Sequence, residues 1–178
     1  KRSPDRANNN FSMNTAYLSL GSSLDKERNL PAGVRLLAQH GQVMAVSAAY
    51  ETDPVGNPDD PTFLNAALIL ETPLDPLALK ATVLRRVEDQ LGRQRTDDPN
   101  APRTFDADIS LFNDEVLDIG QRRIPDPEIL RYAHIAVPLA EVAPGYRHPE
   151  TGETLAEIAA RLSIDTRLIR RGDVILLP

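Results

Sequence analysis

Between Ala16 and Ser22 the chain reads AYLSLGS, apolar and small polar residues alternating with the period of a strand, and Gly21, Ser22 and Ser23 close the run. The period then changes. Leu30, Val34, Leu36 and Leu37 recur at roughly helical spacing, with Asn29 as N-cap, Pro31 in the first turn and Gly41 as the stop. Val43 to Thr52 (VMAVSAAYET) and Phe63 to Glu71 (FLNAALILE) read as two further strands, joined by the ten residues DPVGNPDDPT. Hairpins close with roughly two to five residues, so a loop this long and rich in Pro, Asp and Gly is read as functional, with a plain surface excursion as the alternative.

From Asp75 the spacing of Leu77, Leu79, Val83, Leu84, Val87 and Leu91 gives an amphipathic helix that ends at Gly92. A second polar loop, QRTDDPNAPRT, precedes the strand FDADISLF. Beyond Phe112 come the short segments EVLDI and RRIPDP, the apolar stretch IAVPLAEVAP, a helix capped near Thr154 and running through Arg161, and a last strand in Asp173 to Pro178. The order βα, ββ, α, β predicts an α+β fold, a ferredoxin-like split βαβ sandwich. Its sheet is mostly antiparallel, its helices lie on one side, and long functional loops flank it. The other face then needs cover or a ligand. Residues 1–14, with an NNN run and no periodicity, read as a disordered tail, which leaves 15–178 as a single domain.

Composition narrows the function. Apolar residues make up 41% and charged residues 26% of the 178, as in soluble folded proteins, which excludes collagen-like and wholly disordered chains. With no cysteine, disulfides, thiolate metal sites and a cysteine nucleophile are excluded together. No apolar run approaches the roughly 20 residues of a membrane helix, and the polar start KRSPDRANNNFS lacks the hydrophobic segment of a signal peptide, so a cytoplasmic protein with no membrane partner is expected. A net charge of −6 argues against nucleic acid as a partner. Yet 17 of the 20 basic residues are arginine, and Arg85, Arg86, Arg93, Arg95 and Arg103 fall within 19 positions. Genome composition alone can raise the arginine count; the clustering asks for a local reason.

Residues two apart on a strand share a face, so Asp106 and Asp108 set two carboxylates side by side. The pair repels unless it is solvated at an exposed strand end or a hard cation sits between the groups, and Mg²⁺ takes one or two carboxylates plus phosphate oxygens and water. Arg103 lies three residues before the pair, and Arg93 and Arg95 end the preceding helix. Arginine's planar fork matches phosphate oxygens, so the inventory is that of metal-assisted phosphoryl or pyrophosphoryl transfer. Neither GxxxxGK[ST] nor GxGxxG occurs, so side chains and metal must hold the phosphates.

AYLSLGSSL, YETDPVGNPDDPTFLNAALILET, RVEDQLGRQR, APRTFDADISLF and IAVPLAEVAP, in that order and covering about Ala16 to Leu162, resemble the 6-hydroxymethyl-7,8-dihydropterin pyrophosphokinase family of folate biosynthesis. The resemblance implies pyrophosphoryl transfer from ATP to the hydroxymethyl group of the reduced pterin, with release of AMP, on a ferredoxin-like fold. It implies that Asp106 and Asp108 bind two Mg²⁺ ions, that Arg93 and Arg103 act on the phosphates during transfer, and that Arg103 swings in on loop closure. It places Gly21, Thr52, Val55, Phe63, Asn65 and His134 at the pterin, and Glu88, Arg95 and Ile109 at the nucleotide. Core packing is the alternative for Phe63, Val55, Ile109 and His134, a solvated helix charge for Glu88, and a strand-end hydrogen-bonder for Asn65. The chain departs from the family pattern where Asp126 replaces a histidine, Asn100 a tryptophan and His134 an aromatic ring. Those departures motivate a second reading, a pterin- or nucleotide-binding paralogue with lost or altered catalysis, and a third, action on another hydroxymethyl heterocycle. A monomer or weak homodimer is expected.

Overall fold

The alternating run near the start becomes β1 (Asn14–Ser22) in a computed structural model that describes residues 12–98, 100–164 and 167–177. The strand begins at the last residue assigned to the tail, most of which lies outside the described residues. Helix α1 (Lys26–Leu37) starts before Asn29, because Asp25 turns the chain into the helix from a left-handed conformation (φ 44°) without any side-chain cap. Asn29 instead donates its amide to the Leu24 carbonyl at 2.7 Å.

The segment read as one strand is broken into β2 (Gln42–Val46) and β3 (Ala49–Thr52), both antiparallel to β4 (Phe63–Thr72). Ser47 bridges the break: its N–H donates to the Ala67 carbonyl, and its Oγ accepts from the Ala67 N–H at 2.9 Å, so a side chain completes the ladder. Next, α2 (Pro76–Ala78), a π-helical stretch (Leu79–Leu84) and α3 (Arg85–Gln90) follow without interruption as one rod. Asp75 caps its start by accepting from the Ala78 N–H, and Gly92, at φ 75°, lies just past its end, where a residue with a β-carbon is strained.

Strand β5 (Asp106–Phe112) pairs with β1, and the order across the sheet is β5-β1-β4-β3-β8, with β2 also on β4 and β8 being Ile169–Arg171. Every pairing is antiparallel, and β1 with β4 at the centre is the ferredoxin-like arrangement. The last strand thus lies before Asp173, the start expected for it. β6 (Leu117–Ile119) and β7 (Arg122–Ile124) form a separate hairpin. A short 3-10 turn (Pro127–Leu130) leads into α4 (Ala133–Val142), and α5 (Leu155–Leu162) opens on a complete capping box between Thr154 and Glu157.

Helices occupy both faces of the sheet, which corrects the expectation that they lie on one side. Leu18, Leu20, Leu64, Leu68 and Leu70 pack with Leu30, Val34, Leu37, Leu79, Leu84 and Val87 of α1 and the rod. On the opposite face Tyr17, Ala67 and Leu111 pack with Ile135, Leu139, Leu155 and Ile158 of α4 and α5. An apolar stretch such as IAVPLAEVAP has no polar side to declare itself a surface helix, and here it covers a second sheet face. A bulge controls what that face carries. Tyr17 opposes Leu111 and Leu18 opposes Ile109, leaving Ser110 as an extra residue in β5. Asp106 and Asp108 therefore share a face with Leu111, but lie beyond the part that α4 and α5 cover.

Candidate active site

The uncovered end of this face is floored by Gly21 of β1, Phe63 and Asn65 of β4, and Asp106 and Asp108 of β5, with Gly21 opposite both Asn65 and Asp106 in the ladders. Two cavities open there. The smaller, about 220 Å³, is lined by Gly21, Thr52, Val55, Phe63, Asn65 and His134, and the larger, about 740 Å³, by Glu88, Arg93, Arg95 and Ile109. Arg103, Asp106, Asp108 and Glu128 line both. Each candidate site residue singled out in the sequence lines one of these two cavities or both.

In the smaller cavity Asn65 is 7% exposed and donates its amide to Thr52 Oγ1 at 2.9 Å. That fixes the amide, and its Oδ1 lies on the side of Gly21, 3.9 Å from where a β-carbon would sit. Asn65 thus combines a hydrogen bond to the neighbouring strand with a place in the lining of the smaller cavity. The Arg103 guanidinium stands 5.7 Å from the centre of the Phe63 ring. Tyr132 stacks on His134, centroids 5.3 Å apart, and burial lowers the His134 pKa, favouring a neutral ring. The two long loops meet at the rim, where Gly56, at φ 100°, has Asn100 beside it. Val55 is half exposed there, as a rim residue and not as core.

The carboxylates are surrounded by cations. Asp106 accepts from Arg93 through Oδ1 and from Arg103 through Oδ2, the latter at 2.8 Å. Burial pushes its carboxyl upward, but Arg93 and Arg103 outweigh that and hold it below its ordinary value. Asp108 accepts from Lys80 at 2.7 Å and from Arg122. Glu88 is 2% exposed, far from a solvated helix charge: it accepts from the Ala107 N–H at 3.1 Å, from Arg93 at 3.3 Å and from Arg95 at 2.6 Å. Burial raises its pKa, against the pull of Lys80. Its contacts orient the arginines.

Arg103 does not wait on a free loop. Its N–H donates to Ser23 Oγ, and its carbonyl accepts from the Ser23 and Leu24 N–H groups at 2.9 and 3.0 Å, so the β1–α1 turn holds it beside Asp106. Asp126 lines the larger cavity and accepts from the Glu128 N–H; burial raises its pKa, and the nearby Asp108 charge adds to this. Lys80, Arg122 and Tyr132 escaped the sequence reading. Lys80 reaches Asp108 across 28 positions, and the one trace of it in the sequence is that it is among three lysines in an arginine-rich chain.

Among the described residues no group of three or more His, Cys, Asp or Glu side chains gathers as a metal cage. Mg²⁺ needs no such cage, since it binds through one or two carboxylates with phosphate oxygens and water completing the shell, and Asp106 and Asp108 supply that hard-oxygen donor set. No helix among the described residues is long and apolar enough to cross a membrane.

The chain is also similar to known proteins in sequence and in fold. The chain is 42% identical over 132 residues to the 2-amino-4-hydroxy-6-hydroxymethyldihydropteridine pyrophosphokinase of Bacillus subtilis, covering 72% of this chain and 78% of that protein. To the enzyme of the same name from Pseudomonas aeruginosa it is 38% identical over 149 residues, covering 81% and 89%. A crystal structure of Plasmodium falciparum HPPK-DHPS with pteroate superposes with a TM-score of 0.66 at 16% identity, over 84% of this chain but only 42% of that longer one, a likeness of fold. The model of one family matches residues 17–144, and by that match the chain belongs to the 7,8-dihydro-6-hydroxymethylpterin-pyrophosphokinase family.

Proposed function

We propose that the larger cavity takes ATP, the smaller takes 6-hydroxymethyl-7,8-dihydropterin, and the wall they share carries the transfer between them. The chain is a pyrophosphokinase of folate biosynthesis, and ATP is its co-substrate. The hydroxymethyl oxygen bonds to the β-phosphorus as the bond from that phosphorus to the bridging oxygen breaks; AMP leaves with the electron pair and the hydroxyl proton passes to water. The observation that carries the assignment of residues is the shared lining: Arg103, Asp106 and Asp108 border both cavities, where the phosphate chain and the hydroxymethyl group must meet.

Phe63 and the Tyr132–His134 pair offer ring faces to the flat pterin, and Asn65 Oδ1 with groups near Thr52 accepts from its amino edge. Arg95 and Ile109 border the nucleotide, and Glu88 keeps Arg93 and Arg95 oriented. Asp106 and Asp108 would hold Mg²⁺, two ions in this reading, which neutralise phosphate charge. Arg93 and Arg103, already aimed at the junction, stabilise charge that spreads over the moving group, the term in which preorganised donors contribute most. The reading places the chain in the cytoplasm, as a monomer or weak homodimer.

Incubation with ATP, Mg²⁺ and 6-hydroxymethyl-7,8-dihydropterin should form AMP, and a folded Asp108→Asn variant should lose most of that turnover while keeping pterin affinity. Pterin binding without AMP would favour the non-catalytic paralogue. Unchanged turnover in Asp108→Asn would remove Asp108 from the site.

A further inference from the structure

β5 is an edge strand, so its outward peptide groups have no neighbouring strand to bond. At Ala107, the residue between the two carboxylates, both outward groups are nonetheless satisfied. The Ala107 N–H donates to Glu88 Oε1 at 3.1 Å, and the Ala107 carbonyl accepts from Lys80 Nζ at 2.7 Å. An acid and an ammonium from the helical rod thus stand in for the missing strand at this one residue. The ammonium does more. It also donates to Asp108 Oδ1 at 2.7 Å, the oxygen that Arg122 bonds as well, while Oδ2 accepts from no described residue.

Lys80 sits in the π-helical stretch, where the wide turn changes the direction of side chains relative to an α-helix, and such turns gather at functional sites. Its side chain is 24% exposed at the wall of the larger cavity. A flexible ammonium hydrogen-bonded at two points, with Glu88 Oε1 as a third, ionic neighbour 3.8 Å away, is fixed in a way a surface lysine is not.

We infer that Lys80 is a positioning residue: by tying the Ala107 carbonyl to Asp108 Oδ1 it locks the Asp108 carboxylate and leaves Oδ2 for a divalent cation. This rests on the reading of Asp106 and Asp108 as Mg²⁺ ligands. Lys80 then touches neither substrate, and its effect reaches ATP only through the metal.

The test is calorimetric binding of ATP to the wild-type chain and to Lys80→Met, which keeps an unbranched stem, over a Mg²⁺ series and in EDTA. Loss of a partner that orients a metal ligand typically weakens metal affinity roughly 10- to 100-fold. The Mg²⁺ midpoint for ATP binding should rise accordingly, and Lys80→Arg should recover part of it. Affinity for ATP in EDTA and affinity for the pterin should stay near wild type, while loss of the bond to the buried Ala107 carbonyl lowers the melting temperature modestly. An unchanged midpoint overturns the inference. So does a lowered midpoint, which would make Lys80 a competitor of the metal, or weaker ATP binding in EDTA, which would make it a phosphate ligand. A fall in pterin and ATP affinity together with the melting temperature would make it structural. Should Lys80→Met not fold, Lys80→Gln, which retains an N–H donor, takes its place. A wild-type chain whose ATP binding ignores Mg²⁺ would instead sink the metal reading itself.

Discussion

The ring of Phe105 occupies the space that a side chain at Gly33 would need: a β-carbon there would stand 2.1 Å from Cε2 of the ring. Phe105 is fully buried and directly precedes Asp106. The fit of α1 against one aromatic ring thus sets where β5, and with it the acidic pair, begins.

Gly33→Ala should therefore destabilise the fold although alanine favours helix, since overpacking costs about 1–3 kcal/mol against a gain of roughly 0.5–1 kcal/mol in helix propensity. Urea unfolding would show it as a lower midpoint at constant slope. A more stable variant would mean that the ring moves aside freely.

Phe63→Ala and Asn65→Ala should each weaken the pterin and leave ATP nearly untouched. For Asn65 the expected loss is about 1–3 kcal/mol, the cost of leaving a buried polar group on the ligand unpaired. Calorimetry with each ligand separately decides it, and equal weakening of both would make the residues structural.

Arg103→Ala should lower kcat on the order of 10²-fold, as for loss of one preorganised charge-stabilising donor. Equilibrium affinities should change less, because the charge it meets develops only in transfer. Asp106 loses one of two arginine partners in this variant, so single-turnover rates belong beside binding measurements. Normal chemistry with poor ATP affinity would make Arg103 a ground-state anchor.

Glu51 of β3 ties the loop end to the sheet: it accepts from Lys26 at 2.7 Å, from Thr62 at 2.6 Å and from Arg171. The Lys26 hydrogen bond, ahead of that from Thr62, lowers its pKa from 4.5 to about 2. Because the folded value is depressed, its stabilising contribution is complete above pH 4.5 and disappears as pH falls toward 2. Glu51→Gln should lose stability at neutral pH, and its deficit against wild type should shrink across that acid range. A deficit independent of pH would assign the loss to packing.

Much of the site was legible because its residues lie in local patterns. Asp106 and Asp108 share a strand face by spacing alone, and Gly92 ends its helix by its backbone freedom. What escaped was long-range or unpatterned. Asp25 starts α1 without a capping side chain, so no motif marks it. Ile169–Arg171 is too short and too charged to read as a strand, and pairs with β3 through its backbone. Lys80 meets Asp108 only once the rod is laid against the sheet edge. The side on which α4 lies depends on which sheet face is left bare, a property of the assembled sheet.

The extra residue in β5 separates two obligations within one strand. Ser110 bonds Ser19 through its hydroxyl at 2.5 Å, and its carbonyl accepts from the Asp126 N–H at 2.9 Å, so the bulge also anchors the segment that walls the larger cavity. On one side of it Leu111 and Phe112 pack into the two apolar clusters; on the other Asp106 and Asp108 face the cavities. Substitutions in one half can accumulate with little consequence for the other. Changes of length cannot: one residue inserted between Asp108 and Ile109 would exchange the two faces and turn both carboxylates toward the helices. A site built on such a strand thus depends on its reading frame as much as on its acidic residues.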